Sequence, residues 1–202
     1  DLSGTVTTQE LARLGMDAGE YAAGKVTAAL RYDIARNGGQ SFQINANLAE
    51  MAISVPEIGL DKPGGEALKA EMTGRIAREG APVQLSRLTL SGPGMDADLS
   101  GTLKPGFAGL GELAIARFRR GGTDVSGAIA LLDDGSYRVG LTGPSLDAGF
   151  YFDRKDDAPE DAQAPAPAEE EPATPLQISL AVDRLLTTEG HMLQGVTGRI
   201  QR

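Results

Sequence analysis

The sequence predicts an all-β protein: an antiparallel meander of many strands, with one short helix near the N-terminus. Three observations carry this. Apolar residues recur at every second position along most of the chain, the mark of strands with one apolar face. Gly-containing turn signals separate these runs, at Asn37-Gly38-Gly39, Glu79-Gly80, Gly121-Gly122, Asp133-Asp134-Gly135 and Glu189-Gly190. Only one segment carries helix signals, so strand follows turn follows strand throughout.

The helix is expected at about 8–14. Thr7 and Glu10 form the Thr-x-x-Glu capping box, Leu11 and Leu14 share a face, and Gly15 is a stop. The strands follow in order. Val26, Ala28, Leu30, Tyr32 and Ile34 alternate with polar or small residues. Phe42, Ile44, Ala46 and Leu48 do the same, then Leu68, Ala70, Met72, Gly74 and Ile76. Val83 and Leu85 begin a strand that continues through Leu88 and Leu90 with a slip of one residue, which reads as a bulge. Met95, Ala97, Leu99, Gly101 and Leu103 form the next. Later strands cover residues 125–131 (Val125, Ile129, Leu131), 137–141 (Val139, Leu141) and 178–182 (Ile178, Leu180, Val182). The segment from Gly106 to Gly111 reads as a loop or an irregular lead-in to a strand.

A short step, apolar residue then Ser or Thr then Gly, recurs at Leu2-Ser3-Gly4, Met72-Thr73-Gly74, Leu90-Ser91-Gly92, Leu99-Ser100-Gly101, Val125-Ser126-Gly127, Leu141-Thr142-Gly143 and Val196-Thr197-Gly198. Its spacing is irregular. It reads either as a repeating unit or as strand glycine marking bends and bulges.

Three segments are expected. Residues 1–152 form the β-structure. Residues 153–175 are rich in Asp, Glu, Ala and Pro, without apolar periodicity, and read as a disordered linker. Residues 176–202 resume as strands of the same or the next β unit. The chain begins at Asp1 inside a strand-like run, which reads as a piece of a longer protein.

Composition excludes several functions. A net charge of −9 argues against nucleic acid, which needs clustered Lys and Arg. The absence of Cys excludes disulfides and thiolate metal sites. His191 has no second His and reads as a solvated turn residue. No metal, cofactor or catalytic residue is assigned, and the chain reads as no enzyme. The pair Asp133-Asp134 belongs to a turn, no Gly-x-Ser-x-Gly elbow is present, and Gly106–Gly111 lacks phosphate-loop spacing. The basic cluster Arg117-Phe118-Arg119-Arg120 could meet an anionic lipid headgroup, but reads more simply as a solvated strand end.

What remains is the apolar face itself. Many strands present one, and little helix is available to cover it. Either the sheet closes on itself as a sandwich or barrel, or the face stays open and binds something apolar. The alternation alone favours the closed form.

Several segments resemble the AsmA-like family, closest to its YhdP-like branch. Residues 2–15 (Leu-Ser-Gly-Thr-Val-Thr-Thr-Gln-Glu-Leu-Ala-Arg-Leu-Gly) resemble its strand and short helix. Residues 48–65, ending Leu60-Asp61-Lys62-Pro63-Gly64-Gly65, resemble its apolar strand followed by Lys-Pro-x-Gly. Leu90-Ser91-Gly92-Pro93-Gly94, Thr123-Asp124-Val125-Ser126-Gly127, Leu141-Thr142-Gly143-Pro144 and Val182-Asp183-Arg184 complete the set. The resemblance implies an elongated, twisted sheet curled into an apolar groove. It implies a periplasmic segment of an inner-membrane-anchored protein of the Gram-negative envelope. Such proteins conduct phospholipid towards the outer membrane and serve outer-membrane biogenesis. Partners would be phospholipid acyl chains, flanking groove segments of the same protein and, through those, membranes. The groove would be lined by Val26, Leu30, Tyr32, Ile34, Phe42, Ile44, Leu48, Leu68, Met72, Ile76, Leu85, Leu88, Leu90, Met95, Leu99, Leu103, Val125, Ile129, Leu131, Val139, Leu141, Ile178, Leu180 and Val182. The alternative is a non-catalytic β-sandwich scaffold for envelope assembly.

Overall fold

Period-two alternation becomes pleat. In the computed structural model, which describes residues 1–13, 19, 21–55, 60–107, 109–149, 176–187 and 191–201, nearly every alternating run is a strand. The elements are β1 (Leu2–Thr7), α1 (Thr8–Arg13), β2 (Ala22–Ile34), β3 (Gln40–Asn47), β4 (Met51–Val55), β5 (Leu60–Lys62), β6 (Lys69–Ile76), β7 (Val83–Gly92), β8 (Met95–Leu103), β9 (Leu110–Arg120), β10 (Thr123–Leu131), β11 (Tyr137–Asp147), β12 (Leu176–Leu186) and β13 (Met192–Gln201). A 3-10 turn, Pro105–Phe107, precedes β9.

All thirteen strands belong to one sheet, ordered β13-β12-β11-β10-β9-β8-β7-β6-β3-β2-β4-β5, with β1 paired to β2. The sheet does not close. The sandwich favoured by alternation alone is therefore corrected: there is one sheet, not two facing ones. Alternation specifies that a face is apolar, not what covers it.

The capping box forms as read. Thr7 N–H and Oγ1–H donate to Glu10 Oε2 at 2.8 and 2.9 Å, and Glu10 N–H returns to Thr7 Oγ1 at 3.2 Å. These bonds hold the Glu10 carboxyl below its ordinary value. The helix packs against its neighbours β1 and β2. Leu14 and Gly15 lie outside the described residues, as do residues 153–175, expected to be a disordered linker, and the Glu189-Gly190 turn.

One expectation of strand order fails. β11 and β12 run parallel, from Tyr137 beside Leu176 to Asp147 beside Leu186. A tight turn cannot join parallel neighbours; they need a crossover of a dozen residues or more. Residues 148–175 make that connection, and it must return the length of a strand, roughly 33 Å over ten steps. β12 thus joins the same sheet.

Bulges bend the sheet at defined places. On β7, Ser86 and Arg87 together face Ser100, since Leu85 pairs with Gly101 and Leu88 with Leu99. On β9, Ala116 and Arg117 face Ser126, between the pairs Gly127–Ile115 and Val125–Phe118. The Thr73-Gly74, Ser100-Gly101 and Ser126-Gly127 steps lie opposite these bulges. Thr142-Gly143 opens a further irregularity, on β11 against β10. At these positions the recurrent step marks where strands crowd; at Gly4 and Gly198 it does not. Gly127, at φ +155°, shows why: a Cβ there would run into the Gly140 carbonyl and lie 3.1 Å from Leu141 Cα. Backbone cannot yield as a side chain can. Gly198, on β13 beside Leu180, has nothing within 4 Å.

Gly127→Val is expected to destabilise the fold by about 2–4 kcal/mol, whereas Gly198→Ala shifts it by no more than about 0.5 kcal/mol. Urea denaturation followed by circular dichroism separates the two.

Candidate functional site

Register decides which side chains share a face. Starting at the β1 edge, one cross-strand row runs Leu2, Leu30, Ile44, Met72, Leu88, Leu99, Ile115, Gly127, Leu141, Leu180 and Gly198. A second runs Tyr32, Phe42, Gly74, Leu85, Gly101, Leu113, Ile129, Val139, Ile178 and Ile200. Outside it Ile34, the polar Gln40, Ile76, Val83, Leu103 and Leu110 form a third, whose line Leu131 continues. On the other side lie Ala28, Ala46, Ala70, Leu90, Ala97, Phe118 and Val125. Val26, Met95 and Val182 extend this face by alternation along their strands. Every groove residue expected within a strand thus falls on one face.

Leu48 and Leu68 sit just beyond strand ends, tied by Leu48 N–H to the Leu68 carbonyl at 2.8 Å. Leu68 is buried and Leu48 half-buried. Tyr32 and Ile34 share the face but lie near the sheet edge, 42% and 70% exposed.

The face is shielded without being sealed. Phe42, Val83, Leu85, Ala97, Val125 and Val182 are buried, while Leu30, Ile44, Met72, Leu88, Leu99, Leu141 and Leu180 stay half-exposed. No second sheet lies over them, although β5 reaches the end of β9, where Arg120 Nη2 donates to the Asp61 carbonyl. Burial on one face of a single sheet means that the sheet curves over that face, so same-face neighbours screen each other. Phe42 shows the packing at close range. Its ring lies where a side chain at Gly74 would stand, so glycine there admits a large aromatic from the next strand.

The opposite face is polar and tied across strands. Arg87 holds Asp98 through two hydrogen bonds at 3.2 and 2.8 Å, Arg117 meets Asp96 at 2.6 Å, and Arg119 meets Asp124 at 3.0 Å. Thr5 and Thr27 hydroxyls lie 2.8 Å apart. Such pairs fix register, and register keeps the apolar rows aligned. The hydrogen bond from Arg87 holds the Asp98 carboxyl below its ordinary value. In the β10–β11 turn, Ser136 Oγ–H and N–H donate to Asp134 Oδ1 at 2.6 and 2.9 Å and lower its carboxyl likewise. Asp134 is therefore a turn-former. His191 is exposed, and its carbonyl accepts from Thr187 N–H at 2.9 Å.

Sequence reasoning missed strand β9 and its inward residues Leu113, Ile115 and Phe118. The bulge at Ala116 spaces Ile115 and Phe118 three apart, which breaks alternation. The segment from Gly106 to Gly111, read as a loop or irregular lead-in, holds the end of the 3-10 turn and the start of β9. Val196 and Ile200 of β13 were also missed, although the Val196-Thr197-Gly198 step marked their strand. A hollow of about 460 Å³ lies along β11, β12 and β13, lined by Leu141, Leu180 and Gly198 of the first apolar row together with Gly140, Thr142, Ser179, Ala181, Thr197 and Arg199. Among the described residues no three acidic or histidine side chains gather into a metal-binding group.

Compared with protein-family models, curated proteins and solved structures, the chain finds no match.

Glu10, Asp98 and Asp134 all carry lowered folded values. Their contribution to stability is present above the unfolded carboxylate value of about 4 and is lost as pH falls through the folded values. The urea midpoint should therefore drop between pH 6 and pH 3, and Asp98→Asn should show a smaller drop over that interval.

Proposed function

We propose that this chain is a non-catalytic lipid carrier: a segment of a periplasmic, inner-membrane-anchored protein that conducts phospholipids between inner and outer membrane, with acyl chains held against the apolar face. One observation carries the reading. A single unclosed sheet lines up apolar rows from one edge to the other, and the central row stays half-exposed with no second sheet over it. An uncovered apolar surface of this extent is unusual for a soluble protein that has nothing to bind.

Dimensions and energetics agree with acyl chains. Four same-face rows two residues apart span roughly 20 Å along the strands, against about 15 Å for the acyl half of a bilayer core. Each methylene taken from water gains about 0.8 kcal/mol, so affinity needs no special chemistry. A surface of Leu, Ile, Val and Met is also smooth in energy. It holds a chain without fixing it in one place, which suits conduction better than storage.

The apolar rows run out at both sheet edges. Leu2 on β1 is 71% exposed and Ile200 on β13 is 63% exposed. Unpaired, apolar edge strands invite further strands. We assign them to flanking groove segments of the same protein, through which the membranes would be reached.

Native mass spectrometry of the purified chain, with lipid extraction, tests the reading. Phospholipid should co-purify, and Ile44→Asp or Leu99→Asp should reduce it at least tenfold while circular dichroism retains the β signal. Lipid-free protein that unfolds cooperatively would instead favour the scaffold role.

A further inference from the structure

The basic cluster read as a solvated strand end is divided by the pleat. Arg117 and Arg119 pair with Asp96 and Asp124 on the polar face. Arg120 does not join them. It stands beside Met95 in the register, at the end of the sheet where the β7–β8 and β9–β10 hairpins turn. Its Nη2 donates to the backbone carbonyl of Asp61. Its Nη1 is buried with no hydrogen-bond partner, the one such side-chain atom among the described residues. A buried guanidinium N–H left unpaired is costly, and a ligand that accepts its hydrogen bond would recover that cost.

The second cation is Lys62, only 3% exposed. Its ammonium donates to the carbonyls of Met51, Pro63 and Ala49 at 2.7, 3.1 and 3.4 Å. Three neutral acceptors use its hydrogens without cancelling its charge, and no carboxylate forms an ion pair with it among the described residues. A buried charge is ordinarily paired. Lys62 and Arg120 line the same cleft, of about 190 Å³, with Leu68, Met95, Gly94 and Gly121. The two glycines leave its wall free of side chains. The acidic side chain at the rim is Glu66; Asp61 offers Arg120 only its carbonyl.

We infer that this cleft binds the phosphate group of a phosphate ester, with Arg120 as hydrogen-bond donor and Lys62 as fixed positive charge. Two cations against one exposed carboxylate leave a net positive site in an acidic chain. The volume exceeds a lone carboxylate and admits a tetrahedral oxyanion with its ester stem. A guanidinium suits that geometry. The cleft borders the apolar face at Met95 and Leu68, so a ligand with its phosphate here can lay acyl chains along the rows. Only this assignment of the phosphate to a lipid rests on the function proposed above.

Calorimetric titration of the full chain decides it, using glycerol 3-phosphate, dihexanoyl phosphatidylglycerol below micelle formation, and dihexanoylglycerol as the phosphate-free control. Arg120→Gln should weaken binding of the phosphate probes about tenfold or more, and Glu66→Gln should tighten it severalfold. The control should respond to neither. Binding of the phospholipid alone, dependent on Arg120, identifies a headgroup. Binding of glycerol 3-phosphate alone keeps the site and removes its link to lipid carriage. If Arg120→Gln does not fold, Glu66→Gln decides by itself. Absence of phosphate binding, or affinities unchanged by these substitutions, would overturn the inference.

Discussion

Register is the constraint on which the rest of this structure depends. An apolar face spread over a whole sheet exists only while every neighbour keeps its phase, because a slip of one residue sends a strand's apolar residues to the other side. The polar face secures that phase. Arg87 with Asp98, Arg117 with Asp96 and Arg119 with Asp124 are worth little individually as exposed ion pairs. Their value is positional, since each joins side chains that meet in only one alignment.

The bulges reconcile two demands. A long flat sheet would leave its apolar face fully exposed, while a closed one would fill it. Extra residues on β7 and β9 bend the strands locally, and the glycines opposite them let backbones approach where side chains could not fit. The face ends up partly screened, with Val83 and Leu85 buried and Leu99 and Leu141 still accessible. Function on the proposed reading resides in that intermediate state, with no single residue carrying it.

Most of the strand content was legible, because alternation depends on pleat alone and pleat is local. Within each strand the apolar residues could be grouped on one side, but that Ile44, Leu99 and Leu141 share a face follows only from the pairing. β9 was not legible for a related reason: its phase changes at Ala116, so a uniform period cannot describe Leu113, Ile115 and Phe118 together. The parallel pairing of β11 with β12 was also out of reach. No local signal tells a crossover from a flexible connection. The Lys62–Arg120 cleft lay further still, since residues far apart in sequence meet there through loops and hairpin ends. Lys62 entered the sequence reading as part of a Lys-Pro step, and its burial could not be foreseen.

The parallel pair also orders assembly. From β7 to β11 each strand pairs with the one before it, so that part can zip from turn to turn. The β12–β13 hairpin has no turn to deliver it. Pairing it with the free edge of β11 closes a long chain loop, and the entropy of that closure comes due before any contact repays it. Closure cost rises by only about 0.6 kcal/mol per doubling of length. The connection can therefore lengthen or shorten with little effect on the finished sheet, provided it still reaches. Topology therefore favours a last hairpin that joins the sheet after its turn-linked neighbours have paired.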